Sequence, residues 1–412
     1  MTRTDRASHA THPSRRSMLG GTLALGCSLA ASPLLTPITM AATPGEARLV
    51  VIVLRGAMDG LDLLRPVGAP ELRRLRPRLG RADDADMLDD FHALHARLRG
   101  LRPMWQEGAL GFVQAVSTPY RHRRSHFDGQ DLLEAGTGED VAPELRRSGW
   151  LNRALGRMSG VTAHTAFAVG RDEMRILEGP APASRWTPGL RLDLSPQSQL
   201  LLERLYAGDP LFAGAADTAL RLADGRAGLG YGAMLRMATR SAEEAAGSAD
   251  DTAIAAYVAR RLTEETRIAA FSLPGWDTHR DQHQTINRAL GRLESTLLTL
   301  RSGLGPAWRH TAVLAMTEFG RTVRENGSGG TDHGTASALV FAGGALRGGR
   351  VHGDWPGLAE SALFDDRDLM PTRDVRAHAA WLLHARFGLS RAELESTIFP
   401  GLEMGPESTI LT

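Results

Sequence analysis

The chain has 412 residues, a formal net charge of +1 and a single cysteine, Cys27. That length can bury a large core, as one big α/β domain or two smaller ones, and the near-zero charge gives no electrostatic ground for nucleic-acid binding. One cysteine excludes both a disulfide framework and a thiolate metal cluster, so any metal must be held by histidine, carboxylate or hydroxyl oxygen.

The N-terminal stretch "HPSRRSMLGGTLALGCSLAASPLL" sets Arg15 and Arg16 directly before a small, moderately apolar run that ends in "TPITMAA". A basic start, an apolar centre and a small-residue exit describe a secretory signal, and the arginine pair adds the twin-arginine signature. Residues 1–42 are therefore expected to be a twin-arginine signal peptide, cleaved near Ala41 or Ala42, with the export machinery as partner and a periplasmic or secreted destination. Gly, Ser and Pro interrupt the run and leave it short of the roughly 20 apolar residues that span a bilayer. No transmembrane span is expected in the mature form. Cys27 after "LALG" leaves lipoprotein processing as a less favoured alternative.

Continuous apolar runs follow at about 48–54, 108–117, 164–170, 267–273, 310–317 and 336–344. Runs without alternation are expected of strands in a mostly parallel sheet with helices on both faces. Between them, Ile286, Leu290, Leu293, Leu297 and Leu300 recur at helical spacing. The segment "RDVRAHAAWLLHARFG" reads as a helix closed by Gly388. The stretch from about 180 to 262 is Ala- and Arg-rich without a clear strand, and a helical insertion is expected there within a single α/β domain spanning 43–412.

Ligands of open parallel sheets bind outside the carboxyl ends of the strands. The first expected strand runs into "RGAMDG" with Asp59, and the second into "STPYRHRRSHFDGQD" with Ser125, His126 and Asp128. The fourth leads to "PGWDTHRDQH" with Asp277, His279 and His283, and the fifth to "TEFGRT" with Glu318 and Arg321. "GGTDHG", with Asp332 and His333, stands just before the sixth. Acids and histidines thus recur at one edge of the sheet, which points to a divalent metal, one or two ions of Zn, Mn, Mg or Ca. Asp277 and His279, two apart on extended backbone, face one side together. Ser125 is the candidate nucleophile, activated by metal coordination, with Arg123 and Arg124 to neutralise an anionic ester. Arg55 and Arg321 are further candidates for gripping the anion. Each residue also has a structural reading. Asp59 suits a turn, Asp277 and Ser125 suit helix caps, Glu318 suits an ion pair with Arg321 or Arg324, and Asp332 suits a loop residue that orients its neighbours.

The phrases "LVVIVLRGAMDGLDLLRPVG", "RSHFDGQD", "GWLNRAL", "GWDTHRDQ", "TEFGRTVRENGSGGTDHG" and "VHGDWPGL" together resemble the exported bacterial family known as domain of unknown function 1501, from about Arg48 to the C-terminus. That family in turn looks like the alkaline phosphatase superfamily, which includes the sulfatases and phosphopentomutase. The resemblance implies an alkaline phosphatase-like sheet with two divalent metals at its carboxyl edge. By position it implies Asp59 on the second metal, Ser125 as nucleophile, and Asp277, His279 and His333 on the first metal. The chain departs from the superfamily where Glu318-Phe319-Gly320 replaces a usual Asp-His-Gly. Either Glu318 stands in for the aspartate, or Asp332-His333 supplies the pair and the late histidine is lost or is His352. Both alignments leave the second metal with a thinner shell of ligands and admit a one-metal site or an oxygen-held Mg or Ca site.

The expected function is an exported metal-dependent hydrolase of phosphate or sulfate esters, acting on an anionic small molecule or polysaccharide ester. The metal candidates are Asp59, Asp277, His279, Glu318, Asp332 and His333; the catalytic candidates are Ser125, Arg123, Arg124 and Arg321. The alternative is a non-catalytic periplasmic binding or assembly protein on a sulfatase-like fold.

Overall fold

Every residue from Leu49 to Leu54 is fully buried in strand β1 (Arg48–Arg55). Side chains alternate across a strand, and here both faces are covered. Leu49, Val51 and Val53 join one hydrophobic core, and Val50, Ile52 and Leu54 join another on the opposite face. Burial on both sides explains why the segment is apolar throughout. Each such side chain contributes roughly 1.5–3 kcal/mol relative to exposure.

The computed structural model describes residues 45–80, 85–121, 123–170, 174–186 and 246–411. The expected signal segment, with Arg15, Arg16 and Cys27, and most of the expected insertion lie outside the described residues. The strands after β1 are β2 (Leu64–Arg65), β3 (Ala85–Met87), β4 (Ala93–His95), β5 (Leu110–Ser117), β6 (Ala166–Val169), β7 (Ser184–Trp186), β8 (Ile268–Pro274), β9 (Thr311–Met316), β10 (Ser337–Ala342), β11 (Val351–His352) and β12 (Arg373–Asp374). The main sheet has the order β11-β5-β10-β9-β1-β8-β6-β7, with β12 added on β5. β1 runs parallel to both β8 and β9, and β6 is parallel to β7 and β8.

The fold is thus a mostly parallel sheet with helices on both faces. The four longest described helices are α1 (His126–Ala135), α2 (Ala246–Thr263), α3 (Gln282–Leu304) and α4 (Val375–Phe387). α3 buries Ile286, Leu290, Leu293, Leu297 and Leu300 in the core that also takes Ile254 and Val258 of α2. α4 packs on the other face with Trp150 and Leu151 and ends at Gly388 in the left-handed conformation, φ 71°. No described helix is long and apolar enough to cross a membrane.

Two details differ from expectation. β7 lies inside the stretch read as free of strands, because its three residues are too few to show a pattern. More consequentially, β10 is antiparallel to both its neighbours, β5 and β9. Reversal puts the start of β10, rather than its end, beside the carboxyl ends of β1, β8 and β9. The loop "GGTDHG" before β10 can share an edge with the loops after the other strands only because of that reversal.

Candidate metal centre

His126, Asp277 and His333 each direct a ligand atom to one place, all mutually within 4.8 Å. Asp277 Oδ1 lies 3.4 Å from His126 Nε2 and 3.4 Å from His333 Nε2. His279 adds a fourth group, with Nε2 3.2 Å from the same Asp277 oxygen and 2.9 Å from His333 Nε2. Four groups from three separate loops therefore converge.

The opposite nitrogen of each ring is held from behind. His126 Nδ1 is 2.8 Å from Glu318 Oε1, His279 Nδ1 is 3.2 Å from Asp332 Oδ1, and His333 Nδ1 is 2.8 Å from the Arg124 carbonyl. A carbonyl or carboxylate can only accept, so each Nδ1 carries a proton, and each Nε2 is the ring atom turned inward, toward Asp277 or a metal. Histidines that bind metals are oriented in this way, by a carboxylate or carbonyl on the other nitrogen. His126 Nε2 is moreover buried, with Asp277 Oδ1 3.4 Å away. Imidazole Nε2 atoms that face one another beside a carboxylate call for a proton or a metal ion between them, and this donor set fits a borderline divalent ion such as zinc.

Local backbone explains how the ligands arrive. Ser125 caps α1, its hydroxyl accepting from the Asp128 N–H at 3.4 Å, and its own N–H donates to the Tyr120 hydroxyl at 2.8 Å. His126 therefore opens the helix. Its ring stacks on Phe319, 5.3 Å between centroids and 18° between planes. Phe319, itself buried, is thus a wall against which that ring rests. The glycines of "GGTDHG" permit close approach: a Cβ on Gly330 would sit 2.3 Å from the His279 carbonyl carbon, and one on Gly334 would sit 2.4 Å from that of Arg321.

Asp277 is oriented by Arg321, whose Nη2 donates to Oδ1 at 2.6 Å. Burial pushes the Asp277 carboxyl up, but hydrogen bonds from His126, His333 and Arg321 outweigh it and hold the pKa below the usual carboxylate range. His126 is pushed up to about 9, first by its hydrogen bond with Asp277 and then by that with Glu318, against burial. Without a metal this ring keeps a proton at neutral pH.

The other expected site residues stand as follows. Glu318 lies behind His126 and not among the inward-facing atoms: it is fully buried and accepts the Gly56 and Ala57 N–H groups at 3.0 and 3.1 Å and the Gln130 amide at 3.1 Å. Asp332 likewise backs His279. Asp59 is not brought to the cluster; as the cap of a short helical turn it accepts from Leu61 N–H, and its other oxygen takes Arg76 at 2.8 Å and Gln282 at 2.6 Å. A guanidinium neutralises it, so its charge needs no ion. Arg321 is buried beneath the site, donating to the Gly56, Ala57, Trp276 and Thr331 carbonyls as well as to Asp277, so the guanidinium expected to grip an anion is engaged within the protein. Arg55 is likewise engaged, with Gln130 and Glu134. Arg123 is exposed and Arg124 is half-exposed beside Asp368. The Ser125 hydroxyl faces its helix cap, while its neighbours on either side touch the cluster. His352 pairs with Thr409 and the Arg347 carbonyl, far along the sheet on β11. The residue of the cluster that sequence reasoning left unassigned is His126. The available signal was its place beside Ser125, in the same loop as the proposed nucleophile.

Fold and cluster together define a mostly parallel α/β protein with a histidine- and carboxylate-lined centre at one edge of its sheet. The chain belongs to the family described as "Protein of unknown function (DUF1501)", whose profile matches residues 112–389. Among solved structures it is similar to the C-terminal periplasmic domain of EcEptC from Escherichia coli in complex with zinc, at 10% identity, TM-score 0.38 and 73% coverage of each chain. It is also similar to an alkaline phosphatase superfamily protein from Vibrio parahaemolyticus, at 12% identity and TM-score 0.32 over 90% of this chain and 75% of that one. A magnesium-bound mutant of TAB5 alkaline phosphatase aligns at 11% identity and TM-score 0.32, over 72% of this chain and 90% of that one. No curated protein matches the chain.

Proposed function

We propose that the protein is an exported, metal-dependent hydrolase of phosphate or sulfate esters, built on a single-metal centre of His126, Asp277, His279 and His333. The observation that carries this reading is the inward turn of three imidazole Nε2 atoms onto one Asp277 oxygen, with every Nδ1 held by an acceptor. A divalent ion bound there supplies Lewis acidity toward an ester oxygen. The chain's own residues do the rest. Glu318, Asp332 and the Arg124 carbonyl fix the rings, Arg321 fixes Asp277, and Phe319 shields one face of His126. Asp277 and His279 are each about half exposed, so a substrate reaches the centre from solvent. Ser125 remains the proposed nucleophile by position in the loop, with a rotamer change needed to release its hydroxyl from the helix cap.

One observation favours the second reading, a binding or assembly protein without catalysis: the serine hydroxyl and the Arg321 guanidinium are both engaged structurally. The test uses purified protein freed of its N-terminal signal. Its metal content is determined, and aryl phosphates and sulfates are assayed after loading with Zn, Mn, Mg or Ca. Bound zinc with ester turnover supports the hydrolase. Tight metal binding with no turnover of any ester transfers support to the binding protein, and no metal binding at all removes both.

A further inference from the structure

Asp368 is a fully buried carboxylate that serves two arginines. Its Oδ2 is 3.5 Å from Arg124 Nη2 and accepts from Thr335 Oγ1 at 2.9 Å, while Oδ1 is 3.2 Å from Arg367 Nη1. The side chains of Arg124 and Arg367 remain 38% and 35% exposed. One buried negative charge thus anchors two guanidiniums whose heads still reach solvent, and the trio carries one excess positive charge. A single arginine would have sufficed to neutralise Asp368.

The trio borders the metal centre along the backbone. The Arg124 carbonyl accepts from His333 Nδ1 at 2.8 Å, and Thr335 is two residues beyond His333. Thr322 bridges to Asp368 and also exchanges hydrogen bonds with Asp332, N–H to carbonyl at 2.9 Å and hydroxyl from N–H at 3.1 Å. Arg367 is near enough that its charge acts on the Asp332 carboxyl.

We propose that Arg124 and Arg367, carried on the buried Asp368, form an anion subsite beside the metal centre and select ligands bearing a tetrahedral oxyanion, phosphoryl or sulfuryl. Guanidinium groups present paired N–H donors that match such oxygens, and a shared anchor fixes both heads without cancelling both charges. The inference rests on the proposed metal centre for its location. Arg124 was among the arginines expected to neutralise an anionic ester, whereas Arg321, another of them, is buried beneath the metal centre against Asp277; Arg367 was not expected at all.

The test is calorimetric titration of the zinc-loaded protein with inorganic phosphate and with sulfate at low salt, alongside zinc titration of the metal-free form. Arg367→Gln and Arg124→Gln, made singly so that Asp368 keeps one partner, should each weaken oxyanion binding about tenfold or more. Zinc affinity should stay within a few-fold of wild type, and Arg367→Lys should recover part of the loss. Wild-type oxyanion affinity in both glutamine variants, or no oxyanion binding by the wild type at millimolar concentration, overturns the subsite. Ester assays separate this from the hydrolase reading: arginine-dependent oxyanion binding without turnover of any ester keeps the subsite and rejects the hydrolase. Turnover that both glutamine variants retain at wild-type KM does the reverse.

Discussion

The Nε2 atoms of His279 and His333 stand 2.9 Å apart, while the Nδ1 of each faces an acceptor, Asp332 for one and the Arg124 carbonyl for the other. Two neutral rings so placed would oppose lone pair to lone pair. A proton or a metal ion must relieve that opposition, and the Asp277 oxygen 3.2 Å from His279 Nε2 adds negative charge to the same spot. Zinc binding should therefore stabilise the fold. At a free concentration of 100 times Kd the gain is about 2.7 kcal/mol, readable as a higher Tm that chelator reverses. An unchanged Tm across that range would count against the centre.

Zinc affinity should depend on pH in a defined direction. His126 without metal holds its proton up to about pH 9, because Asp277 and Glu318 favour the charged ring. Metal and proton compete for the same Nε2 lone pair. Apparent affinity should therefore climb as pH rises, by up to about tenfold per unit for this one proton, and level off near pH 9. Competition titrations with a zinc-sensitive dye would measure it, and a profile flat from pH 6.5 to 8.5 would rule His126 out as a ligand.

Substitutions should separate ligand, support and cap. Glu318→Gln removes the carboxylate behind His126 and should lower zinc affinity about 10- to 100-fold. His126→Ala should cost more than that. Ser125→Ala loses a helix cap, about 1 kcal/mol of stability, with zinc affinity unchanged. If Ser125→Ala also keeps full ester turnover, the serine is not the nucleophile.

Away from the site, His378 sets an acid limit on stability. It is buried on α4, with Nδ1 2.7 Å from Ser408 Oγ, and its pKa is driven down to about 3 by burial, then by the charges of Arg373 and His352. An unfolded histidine titrates near 6.5, so the unfolded chain binds the extra proton between the two values. This contribution is whole above about pH 6.5 and is lost as pH falls toward 3, by about 1.4 kcal/mol per unit. Denaturant melts of His378→Gln should show a shallower acid limb; an identical limb would place the acid sensitivity elsewhere.

Much of the fold was legible because the strands are buried on both faces: "LVVIVL" has no polar position to confuse a reading. The direction of β10 was not legible, since an apolar run carries no sign of which way its neighbours run. At the site, Asp277, His279 and His333 follow from position in loops at one sheet edge. Glu318 and Asp332 were drawn to the same place for the same reason, yet sequence cannot tell a ligand from the acceptor one bond further out. Asp59 stands apart from the cluster, and its pairing could not be read from sequence because its partner, Arg76, is 17 residues away and reaches it only in the folded chain. His126 was overshadowed by Ser125, though the helix that Ser125 caps is what turns His126 inward.

Arg321 tests how the metal centre depends on the scaffold beneath it. Its guanidinium is fully buried and donates to the Ala57 carbonyl at 2.8 Å, Gly56 at 2.7 Å, Thr331 at 3.0 Å, Trp276 at 3.1 Å and Asp277 Oδ1 at 2.6 Å. It thereby ties together the loops after β1, β8 and β9. Arg321→Ala strands those acceptors and should cost about 3–5 kcal/mol. Lysine keeps the charge but lacks the planar fork needed to reach carbonyls on three loops, so Arg321→Lys should recover little of the stability. It should also leave Asp277 freer to rotate, with zinc affinity lowered in step. Denaturant melts of both variants, with zinc titrations of whichever remains folded, check this; wild-type stability in Arg321→Lys would show that the charge alone, and not the fork, holds the three loops.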